Sequence, residues 1–444
     1  MKVAVIGAGI TGLAAGFEAA KAGAEVVVYE AAERAGGRLL TTELAGQPVD
    51  EGADAFLARV PWATELCQEL GLSAELVSPA QRAAFVYSRG ALRALPQPNV
   101  LGVPLDFDAL AASGIVSSNG VARARQEPDM AGSPLVDDQS VGELVRRRLG
   151  DELADRLVDP LVGGINASSI DDLSVQAAVP QLAEAASQGP SLVQELRRMA
   201  AASTVDPAAP VFHTLPDGLG RLTEELADRL GDHLQLSSPV ADLNDLDADQ
   251  VIVTLPASAA RALVAPVSAR SAELLGTIDY ASVVLVSLAY RSDDVDHPMA
   301  GSGYLVPAAE GLTITACSWA SSKWAHVGSP DTVVLRVSSG RYGDDRALAL
   351  DDDALVAAVR SDLAATMGLS ADPQVVRISR WERSLPQFRP GHLELVADIE
   401  QSLANDAPWL QVTGAWARGL GIPACIHQGR EAAQASMAQG AAAR

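Results

Sequence analysis

The sequence predicts an α/β chain with a doubly wound dinucleotide-binding domain, a second domain on a mainly antiparallel sheet, and a helical insertion. Three observations predict it. A strand-turn-helix-strand unit fills the first thirty residues, amphipathic stretches follow in the middle, and β-rich runs cluster between Ile278 and Ser338.

Lys2 to Ile6 is a short run rich in β-branched residues, a strand signal. Glycines follow, then Ile10 to Ala22 carries apolar residues at helical spacing, with Gly23 as its C-terminal cap. Glu25 to Tyr29 (EVVVY) reads as a second, fully buried strand ending at Glu30. The alternation of strand and helix is then lost, and no internal repeat replaces it, which predicts an inserted or second domain. Residues 99–140 are rich in Gly, Ser, Pro and Asp and are expected to hold mobile loops between short helices. Val141 to Leu157 and Leu192 to Ala202 read as amphipathic helices, which makes Arg146 to Arg148 a solvated helix face. The runs SVVLVSLAY, LTITACSW and TVVLRVS predict the antiparallel sheet. Leu410 to Gly414 is a further buried strand, leading through a Gly-rich turn into a helix from Ile426 to Ala442.

With 444 residues the chain can bury a large core. It carries 33 basic and 56 acidic residues, a formal charge of −23, which argues against nucleic acid or an anionic lipid surface as a partner. Despite a mean hydropathy of +0.14, no stretch is long and charge-free enough to predict a membrane span. The glycines begin so early that no signal peptide is expected, and a cytoplasmic protein is expected, with peripheral membrane contact left open. Cys67, Cys317 and Cys425 form neither a disulfide framework nor a CxxC pair, and the six histidines lack ligand spacing, so no metal site is expected.

Four motifs carry chemistry. The first is Gly7-Ala8-Gly9-Ile10-Thr11-Gly12 between strand and helix. Gly7 permits the tight turn, Gly9 lets backbone amides approach a pyrophosphate, and Gly12 lets the helix pack on the strand. Glu30, 18 residues beyond Gly12, sits where a carboxylate would bond ribose hydroxyls, which argues against a 2′-phosphate there. The second is Glu33 to Arg38, whose Gly36-Gly37 turn alone reads as surface with arginines. The third, Asp50-Glu51-Gly52-Ala53-Asp54-Ala55, is a turn that could offer backbone amides to a ring system. The fourth runs from Gly414 through Gly421-Ile422-Pro423-Ala424 into the last helix, a second helix N-terminus able to stabilise negative charge; its plainer reading is a capping helix.

Together these motifs resemble the FAD-dependent amine oxidase and protoporphyrinogen oxidase superfamily. Asp159 to Ala167 with Asp172-Leu173-Ser174, Cys317 to His326, Trp381 with Leu385 to Phe388 and Gly391-His392, and Gly421 to Ile426 are similar to porphyrinogen oxidase signatures, spanning residues 1–435. The resemblance implies non-covalent FAD. It implies FAD contacts from Gly7, Ala8, Gly9, Ile10, Thr11, Gly12, Glu30, Ala31, Gly37, Arg38, Gly52, Ala53, Asp54, Ala55, Val240, Trp381, Gly414, Gly421, Ile422, Pro423 and Ala424. It implies an FAD-binding domain of residues 1–75, 201–265 and 396–444, a substrate domain of 76–98 and 266–395, and a helical insertion of 99–200.

The compact, Arg- and Ala-rich composition is most similar to actinobacterial members. The implied reaction is six-electron oxidation of coproporphyrinogen III to coproporphyrin III by O2, releasing H2O2, within heme biosynthesis beside other pathway enzymes. Four propionates call for arginine, and Arg89 and Arg93 flank the strand-like Ala84 to Tyr87, with Gly164 and Ile165 as pocket lining. Some eukaryotic members place an arginine where this chain has Ala84. Protoporphyrinogen IX is the alternative substrate, an amine oxidase or a non-catalytic FAD scaffold the alternatives of other classes. No side chain stands out as the general base, Cys425 sits in a context similar to members without a covalent flavin bond, and Lys323 reads as loop-structural.

Overall fold

A computed structural model describes residues 1–130, 133–204, 206 and 209–442. The strand Lys2–Ile6 lies at the centre of a five-stranded parallel sheet, in the order Leu234–Gln235, Glu25–Tyr29, Lys2–Ile6, Gln250–Val253, Leu410–Val412. Its residues alternate between two cores: Val3 and Val5 face one apolar cluster, Ala4 and Ile6 the other. That period of two explains why the strands read as uninterrupted apolar runs, since both faces are covered. The helix Ile10–Lys21 follows, and Gly23 takes the left-handed conformation (φ +83°) just beyond it, as the glycine cap requires.

The second sheet has seven strands: Val375–Pro386, Tyr280–Arg291, Thr332–Ser339, Ile314–Ser318, Gly303–Leu305, Ala84–Ser88 and Ala91–Ala94. Every neighbouring pair is antiparallel except Gly303–Leu305 with Ala84–Ser88. Helices between Phe107 and Ala202 enclose their own core, which includes Leu144, Val158 and Leu196. In the segment 99–140 short helices do form, Phe107–Ser113 and Ser118–Ala124, with Leu110, Ile115 and Ala124 fully buried. Ala131 and Gly132, within the segment expected to be mobile, lie outside the described residues.

Three expectations are corrected. The stretch 141–157 is not one helix: Val141–Leu149 stops at Gly150 (φ +92°), and a wide, π-wound helix Ala154–Gly163 follows a single turn later. Arg148 is not on a solvated face but 4 % exposed, its guanidinium donating to the Ser133 carbonyl at 2.9 Å. The last helix begins at Ile422, four residues before the expected start, because Pro423 falls in the first turn, where its missing N–H costs nothing.

Candidate flavin site

Gly7 to Gly12 and Glu30 follow the carboxyl ends of the parallel strands Lys2–Ile6 and Glu25–Tyr29, the end of the sheet where doubly wound folds place ligands. Gly7 turns the chain there (φ +99°), and a Cβ on Gly12 would stand 1.8 Å from the Gly7 carbonyl, so close packing dictates that glycine. Gly9 differs: a Cβ there meets nothing within 4 Å, and Gly9 caps the helix Ile10–Lys21 without a side-chain acceptor and without an acid in the first turn. The first-turn amides of Ile10 and Thr11 thus border open space at a positive helix end. Gly36 donates its N–H to the Ala8 carbonyl at 2.8 Å, and a Cβ on Gly37 would lie 3.2 Å from Gly9 Cα. The two Gly-rich turns are one cradle.

Glu30 lies at its rim. Its carboxylate accepts from the N–H groups of Ala8 (2.7 Å) and Ala32 (2.9 Å), with Ala31 exposed between. Ser238, two residues before Val240, donates its N–H to the Glu30 carbonyl at 2.8 Å, and Val240 packs against the core behind the sheet. Half-buried Arg38 has no carboxylate partner among the described residues. Burial depresses its pKa, and only the Tyr280 phenol and the Cys425 thiol counter that from nearby. A half-buried, unpaired guanidinium is what an anionic cofactor would neutralise.

The loop 50–55 is held from the second sheet. Arg336 donates to the carbonyls of Asp50 (2.8 Å) and Gly52 (2.5 Å) and pairs with Asp54 at 3.0 Å. Lys323 Nζ donates to the Asp54 carboxylate at 2.9 Å, and the Trp324 indole N–H donates to it at 3.2 Å. Burial would raise the Asp54 pKa, but Lys323 and Arg336 outweigh it and hold the carboxyl well below its usual range. The Asp54 side chain is therefore an anchor, and Gly52, Ala53 and Ala55 are left to present main chain. Arg377, Ser379 and Trp381, alternate residues on one strand face, all grip Glu51: the first two bind its carboxylate at 3.1 and 3.0 Å, and the Trp381 indole donates to its carbonyl at 2.5 Å.

At the far side, Gly414 (φ +147°) and Gly421 lead into the helix Ile422–Ala442, whose first turn carries no acid. His392 is buried, and its Nε2 donates to the carbonyls of Trp416 (2.8 Å) and Ala417 (3.0 Å), fixing this turn. Two carbonyl acceptors demand a proton on that nitrogen, and burial lowers the pKa against the opposing pull of those carbonyls. Cys425 is 4 % exposed and its thiol is pushed up to about 11 by burial.

Gly164 and Ile165 close the Ala154–Gly163 helix. A Cβ on Gly164 meets nothing within 4 Å, and Ile165 is 62 % exposed beside buried Asn166. Gln387 donates to the Asn166 carbonyl at 3.2 Å, so the strand that grips Glu51 also reaches this turn. Arg341 pairs with Asp159 at 3.1 Å behind it. Arg89 and Arg93 sit elsewhere: Arg89 is exposed in a hairpin turn, its N–H on Glu310, and Arg93 donates to the Ser88 carbonyl at 2.9 Å and packs over Gly114. Arg156 joins Ser88 and Glu310 at the opposite end of the helix from Gly164. Sequence reasoning missed Arg336, Glu51 as a hub, and Gln387; an arginine inside the apolar run TVVLRVS was the one available signal.

The open glycine cradle, Glu30 at its rim, Arg38 without a carboxylate partner among the described residues and the second acid-free helix start fit FAD, and each is this chain's own feature. The sequence model of the flavin-containing amine oxidoreductases matches residues 10–436. Coproporphyrinogen III oxidase of Bacillus subtilis is 32 % identical, with 97 % of this chain and 96 % of that one aligned. The enzyme of that name from Mycobacterium tuberculosis is 34 % identical over 95 % of this chain and 94 % of its own. A candidate protoporphyrinogen oxidase structure from Exiguobacterium sp. 255-15 superposes with a TM-score of 0.87 at 28 % identity, covering 98 % of each chain. Putrescine oxidase, at 17 % identity and a TM-score of 0.70, covering 99 % of each chain, shares the fold. With its cradle, its loop anchors and this match along almost its entire length, the chain belongs to the flavin-containing amine oxidoreductase family and uses FAD.

Proposed function

We propose that the chain is an FAD-dependent coproporphyrinogen III oxidase, converting the porphyrinogen to coproporphyrin III with three O2 consumed and three H2O2 released. The observation that carries this reading is alignment along nearly whole chains with relatives of that name from Bacillus and Mycobacterium. FAD, when bound, supplies the hydride acceptor and returns the electrons to O2. The chain's residues bind and orient. Gly7 to Gly12, Glu30, Ala31 and Val240 hold the adenosine and diphosphate, with Gly37 and Arg38 alongside. Gly52 to Ala55, Trp381, Gly414 and Gly421 to Ala424 frame the ring, and the N-terminal amides of the last helix stabilise negative charge there. Gly164 leaves room for the tetrapyrrole and Ile165 packs on it.

Of the hairpin arginines, Arg89 keeps an exposed guanidinium for a propionate while Arg93 is engaged with Ser88. Replacing both by alanine raises KM for the tetracarboxylate if this edge borders the pocket; an unchanged KM removes both from it. A cytoplasmic location beside other heme-pathway enzymes belongs to the same proposal, and among the described residues no helix is long and apolar enough to cross a membrane.

Protoporphyrinogen IX is the second reading, favoured by a chloroplast protoporphyrinogen oxidase of Arabidopsis thaliana that is 27 % identical over 97 % of this chain and 86 % of its own. Anaerobic mixing with each porphyrinogen, followed by flavin bleaching and then by porphyrin fluorescence and peroxide on admitting O2, decides. Faster reduction by the tetracarboxylate supports the first reading, faster reduction by the dicarboxylate the second, and no reduction by either overturns both.

A further inference from the structure

Arg383 occupies an unusual place. The pairing of Val375–Pro386 with Tyr280–Arg291 slips between Ala281 and Val283, so that Glu382, Arg383 and Ser384 together stand opposite Ser282. Arg383 takes the left-handed conformation (φ +43°), which suits glycine or asparagine and disfavours arginine. The bulge is pinned on both strands: the Arg383 N–H donates to Ser282 Oγ at 2.9 Å, and Ser384 Oγ donates to the Trp381 carbonyl at 2.9 Å. On one side Trp381 holds the Glu51 carbonyl, and on the other Gln387 holds that of Asn166. The bulge therefore bridges the loop 50–55 and the turn at Gly164 and Ile165.

The neighbouring arginines of this strand are paired, Arg377 with Glu51 at 3.1 Å and Arg380 with Asp352 at 2.7 Å. The Arg383 guanidinium has no partner among the described residues, in a chain with 56 acids to 33 bases. Arg383 is exposed, three residues before Pro386, which pairs with Tyr280; burial raises the Tyr280 pKa, and the charges of Arg38 and Arg383 both act against that rise. Tyr280 itself is fixed, its hydroxyl accepting from the Ala257 N–H at 2.8 Å.

We propose that Arg383 is an oxyanion-binding residue of the flavin cleft, taking the FAD diphosphate or a substrate carboxylate. The substrate arm rests on the porphyrinogen reading above; the cofactor arm does not. A guanidinium suits either anion through paired N–H donors, and a bulge that forces an arginine into a disfavoured conformation is expected where the side chain has a task.

Arg383→Asn keeps a residue suited to the left-handed conformation and removes the charge, and Arg383→Lys restores charge without the fork. The FAD Kd of the apoprotein is measured by flavin fluorescence, and the Kd of coproporphyrin III and of protoporphyrin IX on the holoprotein by porphyrin fluorescence. A loss of about tenfold in FAD affinity with Arg383→Asn, partly recovered by lysine, assigns the diphosphate. Unchanged FAD affinity with a comparable loss for coproporphyrin III assigns the carboxylate. Both affinities intact, with a raised Tm from relieved strain, overturns the proposal. Wild-type holoprotein that binds neither porphyrin overturns the substrate reading separately and leaves the cofactor arm to decide Arg383.

Discussion

The indole N–H of Trp381 donates to the main-chain carbonyl of Glu51 at 2.5 Å, joining the edge of the seven-stranded sheet to the loop 50–55, which we propose frames the flavin. Trp381→Phe keeps an apolar ring and deletes the donor. Losing one net hydrogen bond is worth about 1 kcal/mol, so FAD affinity falls about fivefold with the fold retained. Titration of apoprotein with FAD reads this directly. An unaltered Kd would show that the Glu51 carbonyl does not set the loop's position.

Lys323 and Asp54 make a second such tie, with the loop's carboxylate inside and the lysine reaching it from the short helix Ala320–Lys323. Lys323→Met leaves a charge with fewer partners and should cost about 3 kcal/mol, at the low end because Arg336 and Trp324 remain. Adding Asp54→Asn should return part of the loss. The sign with pH follows from the depressed folded-state pKa of Asp54. Its contribution is present above the unfolded value, about 3.9, and is lost as pH falls through the lower folded value. In Lys323→Met the folded value rises, so acid unfolding followed by circular dichroism begins at higher pH. Coincident acid midpoints would dissolve the pair.

How far the sequence reads depends on whether the determinant is local. Lys2 to Ile6, Gly23 and Glu25 to Tyr29 appear at their expected positions, because strand periodicity and a glycine cap are short-range signals. The break at Gly150 is not legible, since an isolated glycine within an amphipathic pattern is tolerated as often as it terminates. The start at Ile422 is missed because Gly-Ile-Pro reads as a turn until the helix behind it is seen. In the site, the cradle of Gly7 to Gly12 is visible as spacing. Arg336 on Gly52 spans 284 positions and Trp381 on Glu51 spans 330, and no local pattern encodes such contacts.

Gly9 and Gly12 separate cofactor contact from packing. At Gly9 an added side chain enters open space, whereas at Gly12 a Cβ collides with the Gly7 carbonyl. Gly9→Val should therefore give folded, colourless protein, and Gly12→Val should fail to fold or lose several kcal/mol, on the order of an overpacked core. Absorbance near the flavin maximum against protein, together with thermal melting, distinguishes them. A yellow Gly9→Val protein with full flavin content would mean that the pyrophosphate does not approach there.

Cys425 stands three residues into the helix that begins at Ile422, near enough to Arg38 and Thr11 for both to act on its thiol. Burial nevertheless pushes that thiol up to about 11, which keeps it in the protonated form near neutral pH. A covalent bond to flavin requires the reactive anion, and its surroundings oppose it. Acid precipitation should accordingly leave a colourless pellet and all the flavin in the supernatant. Iodoacetamide at pH 8 should leave Cys425 unmodified in the holoprotein, and Cys425→Ser should carry the same flavin as wild type. Flavin retained on a peptide containing Cys425 would reverse the assignment and give that residue a bond to the cofactor.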